Sequence, residues 1–114
     1  MSTTPSHILR PGVYAPILTP YKDGGTNEVD LDAFSRSVAR LAQADVGMIL
    51  AGTLGEGPLL DREERSSLAR CAKSTLRDLQ LDTKIPLIMG VMGASVRECV
   101  ILSKDADAAG ADAM

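Results

Sequence analysis

Five consecutive residues, Gly52, Thr53, Leu54, Gly55 and Glu56, carry the most chemical potential in this chain. The two glycines would let the backbone take positive φ and come close to a ligand, leaving amide N–H groups to hold a carboxylate or a phosphate. The Thr53 hydroxyl can both donate and accept a proton in a hydrogen bond. The same composition also fits a plain strand-to-helix turn in which the glycines serve geometry alone, and both readings stand at this point. Glu56 is read as orienting the loop or capping the next turn rather than as an acid or base. An apolar run over residues 46–51 ends directly before the segment. That puts it at the carboxyl end of a strand, where the loops of α/β proteins build their sites.

Other reactive side chains look structural. Tyr14 and Tyr21 fit packing on or beside a first strand. His7 lies ahead of the first element and reads as a solvated tail residue. Met48, Met89 and Met92 suit a core, where a flexible thioether fills gaps. Cys71 and Cys99 fall in helical patterns with neither metal-ligand spacing nor a disulfide framework, and are expected to be small core residues. No metal and no cofactor is implied.

Short apolar runs at 13–18, 46–51 and 87–92 alternate with longer amphipathic stretches, and 111–114 opens a fourth run. This is the pattern of strands alternating with helices. Continuous apolarity suits parallel strands buried on both faces. The first helix has Asp30 as its cap, a staple of Val29 on Phe34, and a face of Phe34, Val38, Leu41 and Ala42. Asp61 and Glu64 have capping-box spacing and open a second helix with Leu68, Cys71, Ala72, Thr75 and Leu76 on one face. Ser95 and Glu98 repeat the spacing ahead of a third, whose stripe is Val100, Leu102, Ala106 and Ala109, with Gly110 as a left-handed terminator.

An open doubly wound sheet and a closed barrel both fit three such units. The dinucleotide-binding motif G-x-G-x-x-G is absent after the first run, where Thr19, Pro20, Tyr21, Lys22, Asp23, Gly24 and Gly25 stand, and the barrel is favoured. A full barrel needs about 250 residues. The 114 residues would therefore be a fragment, with 1–11 a lead-in and 12–114 the amino-terminal part of the barrel.

These segments resemble the dihydrodipicolinate synthase and N-acetylneuraminate lyase family of pyruvate-dependent aldolases. The resemblance rests on the Gly52 to Glu56 segment, similar to the family's G-T-T-G-E. Gly12 to Thr19-Pro20 with Tyr21 looks like its first strand, and Leu60-Asp61-Arg62-Glu63-Glu64-Arg65 like its L-T-x-E-E-R helix start. Pro86 to Gly90 resembles its third strand, and residues 109–113 the entry to its fourth. The resemblance implies a partial (β/α)8 TIM barrel: the first three βα units plus the start of the fourth strand. It implies a lyase in which a lysine on the sixth strand forms a Schiff base with pyruvate or a related 2-oxo acid, without a cofactor. Thr53 would then belong to a proton relay, and the backbone around Thr53 and Leu54 would hold the substrate carboxylate. Leu54 departs from the family's usual second threonine, which removes one hydroxyl from that site. Lys73 and Lys104 fall on polar helix faces, Lys84 at the amino end of a strand and Lys22 in a loop. None suits the Schiff-base role, so the chain by itself is expected to be inactive. The alternatives are a truncated non-catalytic module and a small anion- or phosphate-binding α/β domain.

Composition narrows the partners. With 45% hydrophobic and 24% charged residues the chain resembles ordinary globular proteins and should fold. A net charge of −3 with no cluster of Lys and Arg argues against nucleic acid. No apolar run approaches the roughly 20 residues that cross a bilayer, and the first residues lack a signal-like core. A cytoplasmic protein, with no membrane partner, is the expectation. Open sheet edges and the family resemblance both imply a homo-oligomer.

Overall fold

The computed structural model describes residues 9–114, so His7 and most of the lead-in lie outside the described residues. The elements run β1 (Tyr14–Pro16), α1 (Leu31–Gln43), β2 (Gly47–Leu50), a 3-10 turn (Gly57–Leu59), α2 (Arg62–Asp78), β3 (Leu87–Met89) and α3 (Val96–Ala108). The strands form one parallel sheet in the order β1-β2-β3. Ala15 pairs with Met48, and Met48 with Leu87. The strands are shorter than their apolar runs, because pairing stops where the chain turns toward the loops. The expected fourth strand is present as a single parallel bridge from Ile88 to Ala113.

All three helix starts follow from side-chain caps that satisfy amides the helix itself cannot. Asp30 accepts from the Ala33 amide at 3.0 Å. Asp61 accepts from the Glu64 amide at 2.7 Å while Glu64 accepts from the Asp61 amide at 2.9 Å, completing the capping box. Ser95 accepts from the Glu98 amide at 3.1 Å, but Glu98 reaches one residue further back, to the Ala94 amide at 2.9 Å. Gly110 takes φ +97 and ends α3 in the left-handed region that glycine favours.

Helix faces and sheet meet in one core. Phe34, Val38 and Ala42 of α1 and Leu68, Ala69, Ala72 and Leu76 of α2 are buried against Met48, Leu50, Leu87 and Met89. Burial of each of the larger side chains among them, the Phe, Val, Leu and Met residues, contributes about 1.5–3 kcal/mol. Leu41 and Cys71 pack at the margin of this core. A contact of 2.9 Å between the Ser35 and Thr75 hydroxyls joins α1 to α2. Arg62 bridges α2 to α3 with two bonds to Asp105, at 2.8 and 2.9 Å.

Three expectations need correction. Met48 and Leu50 are buried while Ile49 is only partly so, and Ile88 repeats this between Leu87 and Met89. The sheet is therefore covered on one face among the described residues, not on both. Val100 is exposed, because the stripe that α3 buries runs through Leu102, Ala106 and Ala109. Cys99 is half-buried outside the core, with its thiol directed at the Gly93 carbonyl.

The Asp61→Ala substitution removes one side of the capping box and is expected to cost about 1 kcal/mol of stability. Urea unfolding followed by circular dichroism checks this; a midpoint equal to that of the wild type would show that the box adds nothing.

Candidate functional site

The loop after β2 leaves the sheet through an abrupt reversal. Ala51 takes φ 52 and Glu56 takes φ 59, both left-handed conformations in residues other than glycine. Between them the Glu56 amide donates to the Thr53 carbonyl at 3.1 Å, and the Gly57 amide to the Gly52 carbonyl at 3.0 Å. The expected positive φ at Gly52 and Gly55 is not found, since Ala51 and Glu56 carry the reversal instead. Gly55 serves close packing: a Cβ there would lie 2.9 Å from the Ile17 carbonyl oxygen.

Two buried polar side chains pin this loop from opposite sides. Thr19, at the end of the β1 segment and 7% exposed, donates from its hydroxyl to the Gly55 carbonyl at 2.6 Å. Arg65, on the first turn of α2 and 4% exposed, donates to the Gly57 carbonyl at 2.8 Å and to the Gly90 carbonyl, beyond β3, at 2.6 Å. Burial pushes the guanidinium below its ordinary range, opposed by the field of the Glu98 carboxylate. Gly57 and Gly90 both press on Ala51, and a Cβ on either would run into the Ala51 carbonyl oxygen. That crowding requires glycine at both positions, and it brings the ends of β2 and β3 into register under one guanidinium.

Thr53 and Leu54 sit at the loop tip between these two anchors, at the carboxyl end of the sheet. Thr53 is exposed, and Leu54 is 50% exposed. Among the described residues, the amides of Thr53 and Leu54 donate to no protein acceptor. The Thr53 hydroxyl has the Met92 sulfur 3.9 Å away as its neighbour. Met92 is 41% exposed beside the loop and not in the core, because the chain past Gly90 turns away from the sheet; Met48 and Met89 are buried as expected.

Glu56 makes no side-chain cap to the 3-10 turn that follows it; only its backbone takes part, its carbonyl accepting from the Leu59 amide at 2.9 Å. Its carboxylate faces Tyr21 across a cleft of about 530 Å³ that Asn27, Leu59, Leu60 and Glu64 also line. Burial pushes the Tyr21 phenol up from its ordinary 10.0, and the nearby Glu56 and Glu64 carboxylates add to the shift. Tyr14 packs its ring over Gly47 and donates its hydroxyl to the Arg10 carbonyl.

The lysines lie away from Thr53. Lys22 pairs with Glu28 at 3.2 Å in the loop before α1. Lys73 faces Asp112 at 3.7 Å, Lys84 precedes β3 at its amino end, and Lys104 is exposed on α3. Among the described residues no group of three or more His, Cys, Asp or Glu is placed to hold a metal ion.

Thr19, Arg65 and Gly90 fall in the segments that carry the family resemblance, but their types and spacing disclose no role in holding the loop, and Gly57 lies outside those segments. Arg65 did carry a signal. It stands on the stripe of Leu68, Ala69, Ala72 and Leu76, where a charged residue is out of place unless it is bonded.

The phenol shift has a testable sign. A raised pKa means the folded protein holds the Tyr21 proton longer than the unfolded chain does. The stability this contributes is complete below the ordinary phenol range and is lost as pH rises through the raised value. In the 114-residue chain carrying Tyr14→Phe, which leaves Tyr21 as its one tyrosine, Glu56→Gln should move the phenol midpoint down toward 10.0 without reaching it. Ultraviolet titration reads this, and an unmoved midpoint would remove Glu56 as a cause.

Comparisons with known proteins agree with this arrangement. The model of the dihydrodipicolinate synthetase family matches residues 10–114. The chain is 36% identical to a probable mitochondrial 4-hydroxy-2-oxoglutarate aldolase of Emericella nidulans, over 91% of this chain and 33% of that protein. It is 35% identical to an L-threo-3-deoxy-hexylosonate aldolase of Aspergillus niger, over 91% of this chain and 31% of that protein. The crystal structure of a putative dihydrodipicolinate synthase family protein from Coccidioides immitis superposes with a TM-score of 0.78 at 33% identity, covering 89% of this chain and 32% of that one. The chain thus spans about a third of the length of the relatives it matches. A three-stranded parallel sheet with its helices, a pinned glycine-rich loop at the carboxyl end of β2 and a family match over residues 10–114 meet in one conclusion: this chain belongs to the dihydrodipicolinate synthetase family.

Proposed function

We propose that these residues form the carboxylate-binding part of a lyase that acts on pyruvate or a related 2-oxo acid through a Schiff base. They are the first three βα units of a (β/α)8 barrel, with the bridge at Ala113 opening its fourth strand. The single observation that carries this is the loop tip: Thr53 and Leu54 present two amides with no acceptor among the described residues, at the carboxyl end of a parallel sheet. Such amides suit a carboxylate, whose oxygens accept from backbone N–H groups. Thr53 can pass a proton to or from the carbon chemistry, as a hydroxyl that both donates and accepts.

The nucleophile comes from elsewhere. A Schiff base needs an amine held neutral at working pH. Lys22 is paired with Glu28 and Lys73 with Asp112, Lys84 and Lys104 are exposed, and none of the four contacts the loop tip at Thr53. We read the 114 residues alone as inactive. Leu54 offers its amide without a side-chain hydroxyl, so the carboxylate is held by backbone and by the Thr53 hydroxyl. No metal or other cofactor enters this chemistry.

The relatives' names, 4-hydroxy-2-oxoglutarate aldolase and L-threo-3-deoxy-hexylosonate aldolase, support a 2-oxo acid as the small-molecule partner. The sheet ends on β1 at one edge and is only bridged at β3 on the other. Open edges of this kind, with exposed Leu18, Leu59 and Val96, support a homo-oligomer. No helix among the described residues is long and apolar enough to cross a membrane.

Borohydride trapping tests the proposal. The protein purified from its source, treated with pyruvate and borohydride, should gain one reduced pyruvate on a lysine other than Lys22, Lys73, Lys84 or Lys104. The 114-residue chain should gain none. An adduct on one of those four lysines would overturn the assignment. Thr53→Val in the source-length protein should slow turnover by roughly 100-fold, the lower end for loss of a proton-transfer group. If phosphate esters bind more tightly than 2-oxo acids, the loop is instead an anion site of a small α/β domain.

A further inference from the structure

We infer that Arg65 is the positioning residue of the 2-oxo acid site, holding the Thr53 and Leu54 amides where a substrate carboxylate can meet them. The inference rests on the reading of that loop as the carboxylate site. The guanidinium is buried, and each of the two nitrogens that donate from it is spent on the backbone of a different segment, the turn that closes the loop after β2 and the residue that follows β3. One bond goes to the Gly57 carbonyl, where the loop closes, and the other to the Gly90 carbonyl, where β3 ends.

Geometry makes this more than packing. The Gly90 amide donates to the Leu50 carbonyl at 2.7 Å, which ties the end of β3 to the last residue of β2. The next residue, Ala51, reverses direction, and its carbonyl is wedged against Gly57 and Gly90. Arg65 therefore closes a ring that runs from Leu50 through the loop to Gly57, across the guanidinium to Gly90, and back to Leu50. The loop tip at Thr53 and Leu54 has Thr19 as its other anchor, through the Gly55 carbonyl. Released at Gly57, the loop would keep its internal bonds from the Glu56 and Gly57 amides but would be tied to the rest of the fold through Thr19 on one side only, and its tip amides would be less firmly placed.

Arginine is specific to this job. Its fork spans two carbonyls at fixed separation, whereas a lysine ammonium is a point charge that serves one of them well. Glu98 faces the guanidinium without a direct bond, and at the same time holds the Ala94 amide of the loop after β3. That carboxylate balances the charge and leaves the two carbonyls as the direct acceptors.

The test compares Arg65→Lys with wild type in the source-length protein, reading pyruvate KM, kcat and the melting temperature together. A positioning role predicts KM for pyruvate raised by about tenfold, because carboxylate binding weakens, with kcat lowered as well, because the same tip carries the Thr53 hydroxyl. A merely structural role predicts a lower melting temperature with KM unmoved, and that result overturns the inference. Should R65K fail to fold, Arg65→Gln, neutral and able to satisfy one carbonyl, is read in the same way. If both fail to fold, Arg65 is a folding residue and the inference is overturned. Borohydride trapping on the wild type separates the two levels. No adduct there overturns the 2-oxo acid reading itself, while an adduct with KM unmoved in R65K overturns the role of Arg65 alone.

Discussion

A charge buried beneath a loop is the constraint from which the rest of this structure follows. Removing a guanidinium from water costs several kcal/mol unless its N–H groups find acceptors. Arg65 finds them in the backbone carbonyls of Gly57 and Gly90, so both segments must be present, and in place, for α2 to dock. The cost of losing either partner is high, because it would leave a buried N–H group of the guanidinium without an acceptor. This makes the packing of α2 on the sheet and the shape of the loop one cooperative event. The buried face of α2, through Leu68, Ala72 and Leu76, supplies the favourable term, and Arg65 sets the register in which it is collected.

The loop itself is held under strain. A left-handed conformation outside glycine costs of order 1–3 kcal/mol, and Ala51 and Glu56 both adopt it. The turn persists because Thr19 and Arg65 bond its carbonyls on either side and because Gly57 and Gly90 leave no room for another path. Every tie uses a carbonyl, which leaves amides at the tip without partners. Strain, close packing and free amides are therefore consequences of one arrangement. A loop anchored through its amides could not offer them to an anion.

How much of this the sequence discloses depends on how local the cause is. Helix starts were legible because a cap acts over three residues: Asp30, Asp61 and Ser95 each accept from the amide three positions on. The loop was legible as a candidate site because its residue types and its place after an apolar run are local facts. The reason for its glycines was not. Gly57 and Gly90 are 33 residues apart and meet through Ala51 and the Arg65 guanidinium, while the strand order that brings them together is a property of the whole sheet. Met92 and Val100 are exposed despite their apolar character for a related cause. Apolar character marks what can be buried, but the turn after Gly90 and the rotation of α3 decide what is.

The sheet carries the same lesson further. Ile49 and Ile88 are as apolar as the core residues on either side of them, yet they lie opposite the helices and are only half covered. In strands that face water on one side, such positions alternate to polar residues. Here they do not, so the strands are written for two covered faces while the described helices supply one. A flat three-stranded sheet could cover the second face only by association, whereas curvature into a barrel would cover it with the inward side chains of further strands. The barrel reading thus explains both the apolar Ile49 and Ile88 and the position of the loop, since the ends of β1, β2 and β3 that frame Thr53 would then face the mouth of that interior. Arg65, outside the sheet and beneath the loop, is placed to hold the rim of such a mouth without occupying it.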